Sequence, residues 1–468
     1  MTADSALSSR TNLPYLIVGA GPFGLAAARA LKRKNIPFDV VERHSRVGGI
    51  WDMDNPGSPM YETCHFITSK INGGYIDYPM PEDYPTYPSW RQVLTYIEDM
   101  AREFRLEEHI HFNTCVTNAT PTDDSATPTW LVETEHGPLG EYAGIIYAGG
   151  QQWDPYLPDI EGMSDFAGRM IHSSAYAHPD EFVGHRVLII GAGNSGVDIA
   201  VDAAEFGAKA TLSTRRPYYF LPKQIFGVPT PDLLVGKIPL PKLPNVPDNL
   251  NPLQVVDLVL STVGPLEAYG LETPGWPLGA TQPIVSDLAL HHFTHGTLSH
   301  KPDVTRFTAN QVEFTDGTSE TFDVVVLATG FDIAIPWLSA EILPPNDGHP
   351  EFLLGALSER YETLYAMGVI HPSRADAWAL FDQLGHIIVA DILARDRGIN
   401  SAGMRALRTE YRPNLKGDFP FLDTRRNINQ ADTVALENML NALRATYGLE
   451  IPGAKQSGFF ATARLAHH

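Results

Sequence analysis

Four short apolar runs, each ending in glycine, organise the chain. They are YLIVGAG from Tyr15, IIYAGG from Ile145, VLIIGAG from Val187 and VVVLATG from Val324. Runs of this kind predict buried parallel strands that end in tight turns. The first and third runs continue directly into the helical patterns GLAAARALKRKN and SGVDIAVDAAEFG, so two strand-turn-helix units are expected.

Apolar periodicity predicts further helices outside these units. One helix is expected to begin at Ser89, whose spacing to Gln92 is that of a capping box. A longer helix is predicted from Ala375 to Arg397, and an apolar stripe from Leu436 to Tyr447 predicts another. The C-terminal part of the chain is therefore expected to be helical.

Nine prolines fall between Pro217 and Pro252. Because proline lacks a backbone N–H and fixes its own φ angle, neither a long helix nor a central strand is expected there. The stretch is predicted to be an irregular insertion that extends over the surface from the second strand-turn-helix unit.

The composition excludes several classes of protein. Hydrophobic residues make up 43% of the 468 positions, and 55 Asp and Glu against 34 Lys and Arg give a formal charge of -21. Nucleic acid and anionic lipid are therefore not expected as partners. No apolar run reaches the roughly 18 residues of a membrane span, and no secretory signal is recognised. With Cys64 and Cys115 as its only cysteines, the chain is expected in a reducing, cytoplasmic compartment.

The first strand-turn-helix unit carries the GxGxxG spacing of a dinucleotide-binding turn. In GAGPFG, Gly19 allows the tight turn, Gly21 lets the backbone approach a pyrophosphate, and Gly24 lets the helix pack on the strand. The next strand, FDVVER, ends at Glu42, 23 residues after Gly19. A carboxylate there accepts hydrogen bonds from a ribose diol, which favours FAD or NAD.

The second unit repeats this spacing with the opposite charge. GAGNSG runs from Gly191 to Gly196, and the strand that follows, KATLSTRR, ends in hydroxyl groups and two arginines. Arg215 lies 24 residues after Gly191, within one residue of the register of Glu42. Guanidinium and hydroxyl donors suit a 2′-phosphate, so this half is predicted to hold NADP. Two dinucleotides in one chain indicate redox chemistry.

A further motif stands between the two loops. In FAGRMIHSSAY, the residues Phe166, Gly168, His172 and Tyr176 have the spacing FxGxxxHxxx(Y/F). This resembles the fingerprint of the flavin-containing monooxygenases, which are class B flavoprotein monooxygenases, and the segments GGIW, GNSG, STR and LATGF are similar to motifs of the same family. The resemblance covers roughly residues 15–392.

The resemblance implies a fold and a domain order. The fold is α/β, with two dinucleotide-binding, Rossmann-like domains and a helical C-terminal part, and the NADP domain is inserted in the FAD domain. The first part of the FAD-binding domain is expected over residues 1–167 and the NADP-binding domain over 168–325. The second part of the FAD-binding domain and the helical extension are expected over 326–468. A homodimer is also suggested.

The resemblance assigns cofactor-binding roles to the residues of the motifs. The residues expected to contact FAD are Gly19, Gly21, Pro22, Phe23, Gly24, Glu42, Arg43, Gly49, Ile50 and Trp51. The residues expected to contact NADPH are Gly191, Gly193, Asn194, Ser195, Gly196, Thr214, Arg215 and Arg216. His172 and Tyr176 are expected to shape the cofactor site between the domains or to pack there, and not to donate a proton.

One position departs from the family pattern. Family members commonly carry an asparagine near the flavin, and Ile67 in MYETCHFITSK stands in its place. Isoleucine supplies no hydrogen bond. Either Thr68 or Ser69 takes over that catalytic role, or the pocket is hydrophobic.

The family activity implied by the resemblance is NADPH- and O2-dependent. One oxygen atom passes from a C4a-(hydro)peroxyflavin to a soft nitrogen or sulfur nucleophile of a small substrate. Baeyer-Villiger oxygenation of a ketone, an NADPH oxidase and a non-catalytic NADP(H)-binding sensor are the alternatives. A disulfide reductase is disfavoured because Cys64 and Cys115 are 51 residues apart.

No metal site is expected. Four histidines cluster beside Asp287 in the sequence: His291, His292, His295 and His300. Their spacing matches no zinc motif, and flavin oxygenation does not require a mononuclear metal.

Overall fold

The computed structural model describes residues 13–234, 238–247, 249–344, 350–373 and 377–453. Its first sheet is parallel and is built around the first apolar run of the sequence. In spatial order, the strands are Leu364–Ala366, Gly144–Tyr147, Tyr15–Val18, Phe38–Val41 and Ile110–His111.

The second sheet is also parallel and contains the third and fourth apolar runs. In spatial order, its strands are Leu298–Lys301, Lys209–Ser213, Arg186–Ile190, Val324–Leu327 and Arg169–His172. All of them lie between strands of the first sheet in the sequence. The expected α/β fold with an inserted second unit is therefore confirmed. The exact division at 167 and 325 stays a prediction, and the strand Val324–Leu327 runs across the second of these points.

Several smaller sheets accompany the two parallel sheets. One three-stranded antiparallel sheet contains Val116–Pro121, Trp130–Thr134 and Gly137–Tyr142. Another contains Val304–Phe307, Val312–Phe314 and Ser319–Glu320. The strand pairs are Phe220–Leu221 with Ile284–Val285, Gln224–Ile225 with Val228–Pro229, Asp154–Pro155 with Phe331–Asp332, and His371–Pro372 with Gln430–Ala431.

The α-helices cover the sheets and form most of the C-terminal part. They are α1 (Pro22–Arg33), α2 (Trp90–Glu103), α3 (Asn194–Phe206), α4 (Thr230–Leu234), α5 (Pro252–Val263), α6 (Ala289–His295), α7 (Ala377–Arg397), α8 (Ser401–Glu410) and α9 (Thr433–Ala445). The 3-10 turns are Gly49–Trp51, Glu107–His109, Met163–Asp165, Ser173–Ala175, Pro179–Phe182, Leu266–Tyr269 and Arg425–Asn427.

The helices predicted from periodicity are present. The hydroxyl of Ser89 accepts a hydrogen bond from the backbone N–H of Gln92, and the Gln92 side chain accepts one from Ser89, so the capping box of α2 is confirmed. The predicted C-terminal helices correspond to α7 and α9. The expected start of α7 at Ala375 lies outside the described residues.

The proline-rich insertion has more structure than its composition predicts. Its short hairpin and α4 pack against α5 around a hydrophobic cluster of their own. Helix α5 begins at Pro252, where Asn251 and Gln254 form a capping box. Proline is favourable at the first helical position, because the N–H it lacks has no partner inside the helix. The last proline of the stretch therefore starts a helix.

Helices α1 and α7 pack closely against each other on the first sheet. A Cβ atom at Gly385 would lie 3.4 Å from the Ala26 carbonyl oxygen and 3.5 Å from the Ala27 Cα. Arg29 and Asp382 form an ion pair of 2.6 Å across this contact, with side chains that are 2% and 3% exposed. Asp382 also accepts a hydrogen bond of 2.6 Å from the backbone N–H of Ile76. This packing holds the middle of α1, the helix that follows the first glycine loop.

Candidate functional site

The first glycine loop is shaped by close backbone packing. Gly19 has a φ of +111°, and a Cβ atom there would lie 2.5 Å from the carbonyl oxygen of Ala148. A Cβ atom at Gly24 would collide with the Gly19 carbonyl. Gly21 precedes α1, and Pro22 is the first residue of the helix. Because the N–H groups of a helix's first turn have no partners inside the helix, the loop offers donors to an anion.

Glu42 lies beside this loop, at the end of the neighbouring strand. Its side chain is 5% exposed. One carboxylate oxygen accepts a hydrogen bond of 2.7 Å from the Ala20 N–H, and the other accepts one of 2.9 Å from the His44 N–H. The acidic group predicted for a ribose diol is thus held at the glycine loop by the backbone.

The GGIW segment forms a 3-10 turn that packs against the glycine loop. Gly49 has a φ of +60°, and a Cβ atom there would lie 2.9 Å from the Gly21 Cα. Asn55 donates a hydrogen bond of 3.2 Å from its amide nitrogen to the Gly49 carbonyl. Its amide oxygen is buried without a partner in the described part of the chain. The structure therefore brings the two predicted FAD-binding segments together.

The remaining residues of this group surround the turn. Arg43 stacks over Trp153, with its guanidinium carbon 4.0 Å from the ring centroid. Trp51 packs edge-on against Phe66 at a centroid distance of 5.4 Å. Phe23, on the first turn of α1, packs against Phe381 of α7 at 3.9 Å. Ile50 is half-buried in the 3-10 turn.

An ion-pair network centred on the buried Asp52, which sequence reasoning missed, supports the GGIW turn. Asp52 is fully buried and binds Arg46 and the Nε2 atom of His44, the latter at 2.8 Å. Burial is the largest single influence and would raise the pKa of Asp52, but the hydrogen bonds from Arg46 and the Asp54 N–H, together with the charges of Arg46 and His44, lower it on balance. The signal was available, because an acidic residue directly follows GGIW in the sequence.

The second glycine loop repeats the geometry of the first. Gly191 has a φ of +106°, and a Cβ atom there would lie 2.5 Å from the carbonyl oxygen of Ala328. A Cβ atom at Gly196 would collide with the Gly191 carbonyl. Gly193 precedes α3. Ala148 and Ala328, the residues that the two loops approach, occupy equivalent places directly after a parallel strand in each sheet.

Asn194 and Ser195 begin helix α3. The Asn194 amide oxygen accepts a hydrogen bond of 3.0 Å from the Val285 N–H, which ties the loop to the strand that follows the insertion. Ser195 is exposed at the surface of the loop. Its hydroxyl is therefore open to a ligand, while Asn194 holds the loop in place.

The residues after the strand Lys209–Ser213 present the predicted hydroxyl and guanidinium groups. The Thr214 hydroxyl lies 2.9 Å from His300 Nε2, and Arg215 is exposed. Arg216 stacks over Tyr218 at 5.4 Å, and its Nε is buried with no partner among the described residues. Where the first sheet places a carboxylate, the second places positive charge.

His172 lies at the end of the strand Arg169–His172. Its Nδ1 accepts a hydrogen bond of 3.1 Å from the Ser174 N–H, and its Nε2 lies 3.0 Å from the Gly330 carbonyl. Because Nδ1 accepts, Nε2 is the protonated nitrogen of a neutral ring. Burial lowers the pKa of His172 and keeps the ring neutral. His172 therefore fixes the glycine turn after the strand Val324–Leu327.

Tyr176 lies inside the protein, between α3 and the segment around residue 63. It is 1% exposed, and its ring stacks on Phe182 at a centroid distance of 4.8 Å. Its hydroxyl donates a hydrogen bond of 2.8 Å to Asp202, which also accepts one of 2.7 Å from Thr63. This placement describes a packing residue at the junction of the two units.

The segment with Ile67, Thr68 and Ser69 lies next to the GGIW turn through the contact between Phe66 and Trp51. Ile67 and Thr68 are half-buried. Ser69 is fully buried, and its hydroxyl accepts hydrogen bonds from the backbone N–H groups of Ile71 at 3.1 Å and Asn72 at 3.3 Å. Ser69 thus caps a turn.

The histidine cluster is dispersed by local hydrogen bonds. His292 Nδ1 lies 2.9 Å from the Thr297 hydroxyl, and His295 Nδ1 lies 2.8 Å from the His291 carbonyl. His300 faces Thr214. Across the described ranges, no three His, Cys, Asp or Glu side chains are grouped to hold a metal ion. In the same ranges, no helix combines the length and apolar character needed to cross a bilayer.

Comparison with known proteins finds one family and several relatives with similar sequences. Residues 15–373 match the family described as FMO-like, flavin-binding monooxygenase-like. The chain is 30% identical to a probable indole-3-pyruvate monooxygenase YUCCA8 of Arabidopsis thaliana, over 75% of this chain and 83% of that protein. It is 31% identical to flavin-containing monooxygenase 5 of Rattus norvegicus, over 76% of this chain and 69% of that protein.

Solved structures share the fold. A cyclohexanone monooxygenase bound to epsilon-caprolactone superposes with a TM-score of 0.68 at 16% identity, covering 94% of this chain and 99% of that one. OTEMO in complex with FAD and NADP gives a TM-score of 0.64 at 20% identity, covering 83% of this chain and 85% of that one.

Proposed function

Since this chain belongs to the flavin-binding monooxygenase-like family, we propose that it uses FAD, NADPH and O2 to transfer one oxygen atom to a nitrogen or sulfur of a small substrate. The observation that carries the proposal is the pair of glycine loops with oppositely charged neighbours. Glu42 is held beside the first loop, and Arg215 is exposed beside the second. The domain division at 167 and 325 is part of the same proposal.

The first loop fits FAD. Gly21 and Gly49 let the loop and the GGIW turn pack closely together, and a pyrophosphate would bind at the N-terminal end of α1. Glu42 would accept hydrogen bonds from the ribose, and the GGIW turn would pack against the isoalloxazine side of the cofactor. The unpartnered Asn55 amide oxygen is an acceptor available at this turn.

The second loop fits NADPH. Gly193 and the N-terminus of α3 would receive the pyrophosphate, with Ser195 as an exposed hydroxyl donor. Thr214, Arg215 and Arg216 would surround the 2′-phosphate. Asn194 and His172 would act indirectly, the first by fixing the loop to Val285 and the second by fixing the turn at Gly330.

Bound FAD, reduced by NADPH, supplies the redox chemistry and activates O2. The protein's task is to orient the two cofactors and to exclude water from the reacting atoms. The aromatic contacts of Trp51, Phe66 and Trp378 provide an apolar wall beside the GGIW turn. Ile67 directly follows Phe66 in the chain and is half-buried, and we assign water exclusion to it. Thr68 is the available hydroxyl, since Ser69 is occupied in its turn.

Oxygenation of a carbonyl compound is the second candidate. Ile67 offers no hydrogen bond at the position where the family commonly has an amide. Several relatives near 30% identity are named indole-3-pyruvate monooxygenases, and their named substrate is a 2-oxo acid.

A substrate panel separates these functions. The FAD-loaded protein is incubated with NADPH or NADH and with a tertiary amine, an organic sulfide, a cyclic ketone or indole-3-pyruvate. We expect substrate-dependent NADPH oxidation and an N-oxide or S-oxide product. An ester or a decarboxylated acid would favour carbonyl oxygenation. NADPH consumption that yields only hydrogen peroxide with every substrate would identify an oxidase, and a colourless protein that ignores NADPH would refute the proposal.

A further inference from the structure

A short C-terminal arm, residues 422–427, reaches the second glycine loop from outside the family-matched region, which ends at residue 373. The Leu422 N–H donates a hydrogen bond of 2.9 Å to the Ala280 carbonyl. The Asn427 amide nitrogen donates to the same carbonyl and to the Leu422 carbonyl, both at 3.0 Å. Asn427 is 2% exposed, so this end of the arm is buried against the segment that follows the insertion.

The arm is also held on its other side. Arg425 donates a hydrogen bond of 3.0 Å from Nε to Asp332, just after the strand Val324–Leu327. Its guanidinium carbon lies 4.5 Å from the ring centroid of Tyr156. Arg426, the next residue, is therefore presented from a backbone that is fixed at both ends.

Arg426 points at Gly193. Its Nη1 lies 3.4 Å from the position that a Cβ atom at Gly193 would occupy, and its Nη2 donates a hydrogen bond of 3.1 Å to the Gln282 side chain. The side chain is exposed to solvent. Desolvation and the nearby charge of Arg216 lower the pKa of Arg426.

Arg216 and Arg426 place two positive charges near each other. Within the part of the chain that the structure describes, neither Arg216 nor Arg426 forms an ion pair with a carboxylate. The Arg216 Nε atom has no hydrogen-bond partner there either. Two guanidinium groups that approach each other repel unless an anion lies between or beside them. Arg426 also lies beside Gly193, directly before the N-terminus of α3, whose free N–H groups favour negative charge.

From this arrangement we infer that Arg426 binds the pyrophosphate of NADP(H) at Gly193, as a clamp that the C-terminal arm adds to the glycine loop. The inference rests on the proposed function, because it concerns the same nicotinamide nucleotide site. A guanidinium suits the role, since its planar donors bind two phosphate oxygens together. Gln282 holds one nitrogen and leaves the other directed at the loop.

Binding measurements on the FAD-loaded protein test this assignment. The dissociation constant of NADP+ is measured by calorimetric titration for the wild type, Arg426→Ala and Arg426→Lys. We expect Arg426→Ala to weaken NADP+ about 10- to 100-fold, as the loss of a charge-assisted hydrogen bond does. Arg426→Lys should recover part of the affinity. The matched control is Arg412→Ala, since Arg412 is an exposed residue of the same C-terminal part, paired with Glu359.

A second ligand distinguishes the pyrophosphate from the 2′-phosphate. Adenosine 2′-monophosphate carries only the latter, and its inhibition constant against NADPH oxidation should be unchanged in Arg426→Ala. Unchanged NADP+ binding in Arg426→Ala, or an equal loss for both ligands, would overturn the assignment. Failure of the nicotinamide nucleotide site on which the inference rests looks different, because the wild type itself would then not bind NADP+.

Discussion

At the scale of single residues, the two glycine loops share one geometry and differ in the sign of one nearby charge. Each loop approaches an alanine carbonyl after a parallel strand, and each precedes a helix. The distinction comes from Glu42 on one side and from Arg215 on the other. Unit charges about 4 Å apart interact by roughly 4 kcal/mol at an effective dielectric near 20, which is enough to decide cofactor preference.

The charge of Arg215 should therefore select NADPH. Arg215→Ala is expected to raise the KM for NADPH about 10- to 100-fold and to leave the KM for NADH unchanged, because NADH has no 2′-phosphate. Steady-state kinetics with both nucleotides measure the difference. Arg405→Ala, which removes an exposed arginine of α8, serves as the control. Equal losses with both nucleotides would contradict this role.

Gly24 should be indispensable for FAD. In Gly24→Ala the added methyl group meets the Gly19 carbonyl, so α1 must move away from the strand Tyr15–Val18. We expect purified Gly24→Ala to lack the visible flavin absorbance that the wild type shows after reconstitution. Gly275→Ala is the matched control, since no atom lies within 4 Å of a Cβ at Gly275. Full flavin content in Gly24→Ala would show that the loop tolerates the shift.

At the scale of elements, the contact between α1 and α7 joins the first glycine loop to the C-terminal part. Sequence periodicity predicts both helices but does not show that they meet. Their contact is closed by small residues on one helix and Gly385 on the other. Its polar component is the buried pair of Arg29 and Asp382, which also holds the Ile76 N–H.

Breaking this pair should cost substantial stability. Asp382→Ala leaves the Arg29 guanidinium buried without its partner, so we expect the free energy of unfolding to fall by about 3–5 kcal/mol. Urea unfolding followed by fluorescence provides the measurement. Asp99→Ala is the control, because its pair with Arg102 is exposed and should be worth less than about 1 kcal/mol. Similar effects of the two substitutions would argue against the buried contact.

At the scale of the whole molecule, polar contacts join the first unit to α3 of the second. The Tyr61 hydroxyl donates a hydrogen bond of 3.1 Å to Asp198, and Thr63 donates one of 2.7 Å to Asp202. Burial raises the pKa of Asp198 to about 6, against the lowering influence of Lys223 and the Tyr61 hydrogen bond. Asp202 raises this pKa further, and His65 lowers it. The junction is therefore sensitive to pH.

The sign of this sensitivity follows from linkage. Because folding raises the pKa of Asp198 from 3.8 to about 6, the folded state holds the proton more tightly. Its contribution to stability is complete below pH 3.8 and is lost as the pH rises through about 6. Asp198→Asn should therefore stabilise the protein above pH 6, by about 2–3 kcal/mol, and have little effect below pH 3.8.

Urea unfolding of Asp198→Asn and the wild type across this pH range measures the effect. Asp257→Asn, which changes an exposed carboxylate on α5, is the control. A stability difference that is constant with pH would contradict the raised pKa. A stability difference that grows as the pH falls would mean that folding lowers the pKa of Asp198 instead of raising it.

Part of the site could be predicted from sequence because its chemistry is local. The glycine loops, the charged residues after the following strands and the capping box of α2 each occupy one short segment. Asp52 could have been recognised in the same way. Helix α5 was missed because proline has opposite effects at the start and in the interior of a helix.

The sequence by itself determined the two strand-turn-helix units, the sign of charge at each and the helical end of the chain. Spacing and periodicity suffice for these features, since they depend on neighbours within about 25 residues. Only the tertiary structure decided that the Tyr176 hydroxyl binds Asp202, that α1 packs against α7 and that Arg426 faces Gly193. Those contacts join segments far apart in the chain, and their geometry is set by packing around the two sheets.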